Sequence, residues 1–316
     1  MAPMYFEKTE IASYTDVSAL LCVAGEGGSA DLFWKYQLYG NLCWERENHV
    51  LYHCGKYDHF SYKEFENEDR IALIKLPQDT SNAEIKKYMD QGYYALFPIN
   101  TKLLGHTELP FKHNVFVTGY EAGSFIVYDY WAPYFTWKYI KVEENRLFES
   151  IDFTNPETVQ EFYVFKLNEK RIPDNGFEAD LGRLKELYTV MWKDNDCYDR
   201  EKNVYGIDAY KAMGDYVASL ERFGVTDFQN FHVLYDHLNF HYYCLNHLFG
   251  GTVLGQAVIL PYKDLAGRAY KLRLFVYKYH MTRKSIEKVR EFLLGELDYL
   301  SAGEKMLIRR LTDAVD

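Results

Sequence analysis

The chain has 316 residues, a length that suits one large domain or two ordinary ones. Its formal net charge of -10 argues against general nucleic-acid affinity, which depends on basic surface. The amino terminus lacks a signal-peptide pattern and no apolar run is long enough to cross a bilayer, so we expect no membrane partner. Five irregularly spaced cysteines favour reduced thiols in a cytoplasmic protein.

The first half of the chain mixes helix and strand signals. A short apolar helix is expected at 15–24, because Thr15 or Asp16 can cap its start and glycines follow its end. An amphipathic segment follows at 31–39, and the His- and Tyr-rich tract at 41–69 stays unassigned. The next predicted elements are a strand at 71–76, a helix at 82–91 capped by Ser81, and strands at 93–99, 113–120, 124–130, 134–142 and 161–167.

The second half has a helical period. A turn-rich stretch at 170–176 marks the change, and we expect an α+β domain at residues 1–172 followed by an all-helical domain at 173–316. The predicted helices are 177–193, 206–223, 228–249, 263–280, 283–299 and 302–314.

One predicted hairpin carries an imidazole and a carboxylate. His113 begins its first strand and Asp129 lies near the end of its second, so the hairpin should place them side by side. A carboxylate beside an imidazole fixes the ring tautomer and stabilises the imidazolium, as the general base of a nucleophilic site requires. The alternative is that His113 only caps a strand and Asp129 only begins a turn.

The predicted helix at 228–249 contains a second group of polar side chains. His237, His241 and Cys244 fall on one helix face, and imidazole and thiolate are ligands that zinc prefers. No second group of matching spacing occurs in the sequence, which favours ordinary helix packing. We therefore assign no metal site. The basic run from Lys263 to Arg290 is either a solvated helix face or a docking surface for an acidic partner.

The order of these motifs resembles a known family. The first helix is followed by 93–100, by 110–120 with His113, and by 127–130 with Asp129. This order resembles the papain-like proteins of the butirosin-biosynthesis acyltransferase N-terminal-like family, which occur in nonribosomal-peptide and related pathways. The likeness covers roughly residues 10–170, and 204–209 resembles the start of that family's second, helical domain.

The resemblance implies a papain-like, cysteine-peptidase-like fold and an acyltransferase or amide-forming activity in antibiotic biosynthesis. The acyl donor would be a thioester of an acyl or peptidyl carrier protein, and the acceptor a small-molecule amine. No resident cofactor is implied, because the phosphopantetheine belongs to the carrier. His113 would be the general base and Asp129 its orienting carboxylate.

The family's cysteine at the start of the first helix is missing here. Thr15, Asp16, Val17 or Ser18 takes its place, depending on the alignment. Either Ser18 or Thr15 is the nucleophile, or His113 deprotonates the amine for direct attack on the thioester.

The remaining expectations concern binding. Asn100 stands where relatives often have Asp, near the cleft, and is a substrate-binding candidate together with Asn114, Tyr14 and Trp131. The alternative function is that of a non-catalytic papain-like pseudoenzyme that binds a carrier protein or a pathway intermediate. A homodimer is left open.

Overall fold

The computed structural model describes residues 40–54, 71–77, 80–105, 112–131, 136–151, 162–167, 201–249 and 251–313, together with Ala19 and Val23. The chain forms two compact units. The first comprises Met1–Gly27 and Tyr62–Asp174, and the second Gly28–Ser61 and Asn175–Asp316. Antiparallel sheets and helices make this an α+β protein. Among the described helices, none has both the length and the apolar character needed to cross a membrane.

The described elements are numbered here in chain order. The strands are β1 Asn41–Glu45, β2 Val50–Cys54, β3 Ile71–Leu76, β4 Tyr94–Asn100, β5 Lys112–Glu121, β6 Ser124–Trp131, β7 Thr136–Glu143, β8 Phe162–Leu167 and β9 Asn203–Tyr205. The helices are α1 Asn82–Asp90, α2 Thr101–Leu104, α3 Glu144–Glu149, α4 Asp208–Ser219, α5 Val225–Phe249, α6 Val253–Thr282 and α7 Arg290–Asp313.

The first unit is built on an antiparallel sheet of order β3-β8-β4-β5-β6-β7. One face of the sheet packs with α1. Alternate residues such as Val115 and Val117 of β5 cluster there with Ile85 and Met89, because successive side chains of a strand point to opposite faces. Phe116, on the opposite face, is buried as well. The strands and the helix predicted between 71 and 167 are confirmed, with ends shifted by one or two residues.

Helix α1 begins where the sequence predicts. The Ser81 hydroxyl accepts a hydrogen bond from the Glu84 backbone, and the Glu84 carboxylate accepts one from the Ser81 backbone. This capping box satisfies backbone donors that the first helical turn would otherwise leave unpaired.

The second unit contains a sheet that the sequence analysis did not predict. Strands β1 and β2 form a hairpin within the unassigned tract, and β9 pairs with β1. The expectation of an all-helical second domain is therefore corrected, because 28–61 belongs to this unit. Beside the hairpin, the Asn230 side chain of α5 accepts a hydrogen bond from Leu51 N at 2.8 Å and donates one to His49 O at 2.9 Å.

Two helix predictions in this unit are also corrected. Helix α6 begins earlier than expected, at Val253, and continues through Pro261. Helix α7, Arg290–Asp313, is one continuous helix where two were predicted, at 283–299 and 302–314. A Cβ at Gly303 would lie 2.8 Å from Leu265 Cδ2, so the glycine allows α7 to approach α6 closely. The predictions at 31–39 and 177–193 lie outside the described residues.

Candidate functional site

The predicted histidine and aspartate lie on neighbouring strands of the first unit. In β5 and β6, Phe116 is opposite Tyr128. Continuing that register places Asp129 opposite Val115, so His113 lies diagonally from Asp129 on the same face. This is the face that packs with α1, and Ile99, the residue opposite His113 on β4, belongs to the same core. The structure thus places His113 and Asp129 on the two strands of one hairpin, as the sequence predicts.

The two side chains form a close ion-pair geometry. His113 Nε2 lies 3.0 Å from Asp129 Oδ1 and 2.9 Å from Oδ2. Because an ionised carboxylate only accepts hydrogen bonds, Nε2 carries the proton and the lone pair of the neutral ring lies on Nδ1. The Asp129 side chain is fully buried, whereas 23% of the His113 side chain is exposed. The ring can therefore meet a substrate while the carboxylate keeps its orientation.

Two other candidates of this unit, Asn114 and Asn100, direct their side chains away from the pair. Asn114 follows His113 directly in β5, so its side chain points to the opposite face of the sheet. The Asn100 side chain caps α2 by accepting a hydrogen bond from Lys102 N at 3.1 Å. Trp131 ends β6, where its backbone pairs with Thr136.

The candidates on the first predicted helix lie outside the described residues. These are Tyr14, Thr15, Asp16 and Ser18. Within the predicted helix 15–24, Ala19 and Val23 are described, and both are helical and fully buried. Their spacing of four residues is that of one helix face.

Comparison with known proteins gives no family assignment. No protein-family model matches this chain, and no curated protein matches it significantly.

A second group of titratable side chains is buried in the second unit. His237 and His241, one turn apart on α5, meet Glu304 of α7, and each of the three can offer a ligand atom within 4.8 Å of the others. Cys244, the third member of the predicted zinc face, is buried but does not belong to this group. The sequence analysis thus found the two imidazoles and missed the carboxylate.

Hydrogen bonds hold this group in place. His237 Nε2 lies 2.8 Å from Glu304 Oε1, and the Tyr210 hydroxyl donates to Glu304 Oε2 at 2.6 Å. His241 Nε2 lies 2.8 Å from the Gly40 carbonyl oxygen, so it donates there. The His241 ring also stacks on Tyr262, with an angle of 6° between the planes.

Burial governs the electrostatics of this group. Burial and the neighbouring His237 lower the pKa of His241 to about 3, so its ring is neutral at neutral pH. Burial by itself would raise the pKa of Glu304, but attraction to His237 and the hydrogen bond with it bring that pKa below its ordinary value. Burial and the Glu304 carboxylate raise the pKa of Tyr210 well above its ordinary value, which keeps the hydroxyl protonated as a donor.

Proposed function

We propose that the first unit transfers an acyl group from a carrier-protein thioester to an amine, with His113 as the general base. The observation that carries the proposal is the contact between the partly exposed His113 ring and the buried Asp129 carboxylate at 2.9–3.0 Å. The thioester donor and the papain-like arrangement are what the resemblance to the butirosin-biosynthesis acyltransferase N-terminal-like family implies.

The reaction needs one base and no redox partner. The amine nitrogen attacks the thioester carbonyl carbon, the C–S bond breaks, and an amide forms. His113 Nδ1 takes the proton from the attacking nitrogen and returns it to the departing thiolate. Asp129 stabilises the imidazolium that exists between these two transfers.

Direct attack is the version of the reaction that we favour. A thioester is already activated, so a covalent acyl-enzyme is not required. Ser18 or Thr15 as nucleophile, with an ester intermediate and the same base, is the alternative route. Direct attack predicts no acylated enzyme when the thioester is supplied without an amine, and intact-protein mass spectrometry distinguishes the two.

A carrier protein would bind the second unit through its basic residues. Arg268 is bonded to Glu296, and Arg290 donates to the Leu220 carbonyl oxygen at 2.7 Å, so both serve the fold. Other basic side chains of this region are exposed, namely Lys263, Lys271, Lys278, Arg283, Lys284 and Lys288. Cationic side chains of this kind attract an acidic partner. We also propose that this reaction takes place in the cytoplasm.

The decisive test is amide formation by the His113→Ala variant. An acyl-carrier thioester is incubated with a panel of amines, and the amide is measured by mass spectrometry. General-base catalysis contributes about 10²–10⁴-fold, so the variant should lose activity by that factor. His247→Ala, an exposed histidine on α5, is the control and should keep full activity. Undiminished activity of His113→Ala would remove His113 as the base.

A non-catalytic role is the second candidate, and the missing cysteine at the start of the first helix favours it. The protein would then bind a carrier or an intermediate and convert nothing. Wild-type protein that binds the acylated carrier but forms no amide, and no acyl-enzyme, with any pathway substrate would support this role over the enzymatic one.

A further inference from the structure

The buried group in the second unit contains two imidazoles and a carboxylate, which are more ionisable side chains than a packing role requires. The side chains of His237, His241 and Glu304 are 1%, 0% and 0% exposed. A buried carboxylate is costly unless a positive charge or several donors compensate it. In the part of the chain that the structure describes, no Lys or Arg forms an ion pair with Glu304.

The distances suit a bound cation. Ligands at about 2.0–2.2 Å from a tetrahedral zinc ion lie about 3.3 Å from one another. Glu304 Oε1 is 2.8 Å from His237 Nε2 and 3.9 Å from His241 Nε2, values that lie on either side of this separation. Small side-chain shifts would therefore bring the three atoms onto one ion.

The surroundings also provide what a metal site needs. Tyr210 donates to the second oxygen of Glu304 and so fixes the orientation of the carboxylate. His241 Nε2 lies 2.8 Å from the Gly40 carbonyl oxygen, so metal binding would move the ring proton from Nε2 to Nδ1 and replace this hydrogen bond with a metal bond.

We propose that His237, His241 and Glu304 bind a divalent transition-metal ion, with Zn²⁺ the best match to two imidazoles and one carboxylate. The ligands come from α5 and α7, and the neighbouring Gly40 and Tyr210 come from the start of β1 and from α4. A bound ion therefore links α5 to α7. The three ligands are closed off from solvent, and the site is independent of the proposed acyl transfer.

The first test uses the wild-type full-length protein. It is treated with a chelator, incubated with Zn²⁺, desalted, and analysed for bound zinc and for its thermal midpoint. We expect one zinc ion per chain and a midpoint that rises with Zn²⁺ and falls with the chelator. Protein that retains no zinc and melts at the same temperature in both conditions would overturn the proposal.

The second test assigns the ligands. Glu304→Gln keeps the shape of the side chain and removes its charge, so it should abolish retained zinc. His232→Gln is the matched control, because His232 is buried on the same helix and pairs with Asp236 outside the group. It should retain one ion, as in the wild type. Equal zinc retention in Glu304→Gln and in the control would refute the assignment.

If Glu304→Gln does not fold, a third variant, Tyr210→Phe, tests the site. Tyr210→Phe removes only the hydroxyl that orients the carboxylate, and the loss of such a partner lowers metal affinity by about 10–100-fold. Co²⁺ bound in place of Zn²⁺ should give visible absorption bands that change in this variant. A purely structural hydrogen bond would leave both the affinity and the Co²⁺ spectrum as in the wild type, which would contradict the proposal.

Discussion

At the scale of the residue, two buried carboxylates meet histidines in different ways. Asp129 contacts a ring that is partly exposed, so the pair can exchange a proton with a bound molecule. Glu304 contacts rings that are buried with it, so a proton there has no route to a substrate. The same pair of residue types therefore suits catalysis in the first unit and ion binding or packing in the second.

The metal-free protein should lose stability as the pH falls. His241 has a pKa of about 3 in the fold and about 6.5 when unfolded, so the unfolded chain binds more protons between these values. The stability is fully present above the unfolded pKa and decreases as the pH approaches 3. The lowered pKa of Glu304 acts in the same direction. The loss from His241 alone is about 3–5 kcal/mol.

This pH dependence can be measured by denaturant unfolding in the presence of a chelator, which keeps the protein free of metal. The free energy of unfolding is compared between pH 7 and pH 4. His241→Phe keeps a ring against Tyr262 and should flatten the dependence. If the free energy of unfolding of His241→Phe changes with pH as steeply as that of the wild type, groups other than His241 cause the pH dependence.

The sequence predicts the first pair and not the second group for a physical reason. His113 and Asp129 are separated by 16 residues within one hairpin, so local pairing brings them together. His237 and Glu304 are separated by 67 residues and lie on different helices, α5 and α7. Only the tertiary fold of the second unit brings them together. Helical spacing reveals partners on the same helix, and it carries no information about a carboxylate on another.

At the scale of the element, tertiary packing overrides two helix-breaking residues. Pro261 lies inside α6, where it removes a backbone donor. Its neighbours Val258 and Tyr262 are buried, and their packing compensates for the lost hydrogen bond. Gly303 lies inside α7 and contacts Leu265. The strands of the first unit were predictable because their runs of β-branched and aromatic residues are local, whereas the full lengths of α6 and α7 depend on tertiary packing.

Two glycines of α7 should respond oppositely to the same substitution. Gly295 has no atom within 4 Å of an added Cβ, so Gly295→Ala should stabilise the protein by about 0.5–1 kcal/mol. Gly303→Ala gains the same helix propensity but places its Cβ 2.8 Å from Leu265 Cδ2, so it should stabilise less or destabilise. Thermal melts of both variants compare the two directly. Equal stabilisation would mean that Leu265 moves aside without cost.

At the scale of the whole molecule, charge is unevenly distributed. The chain has a net charge of -10, yet exposed lysines and an arginine follow one another along α6 and the turn after it. An acidic carrier would be attracted to this part of the second unit in spite of the overall negative charge.

Reversing two of these charges should weaken carrier binding. Lys271→Glu combined with Lys278→Glu should slow association with an acidic carrier, and the difference should disappear at about 1 M salt, where screening reduces the Debye length to about 3 Å. Lys138→Glu, exposed on β7 of the first unit, is the control. Binding kinetics over a salt series provide the measurement. Unchanged association would exclude these lysines as the docking surface.

The hydrogen bonds of Asn230 occupy backbone groups at the outer strand β2 and the turn before it. In the described three-stranded sheet, β2 is an outer strand, and its Leu51 N–H is occupied by an amide oxygen rather than by a further strand. An outer strand with vacant backbone donors invites pairing with another chain and so promotes fibre growth. One polar side chain on a helix thus blocks that route to aggregation at this position.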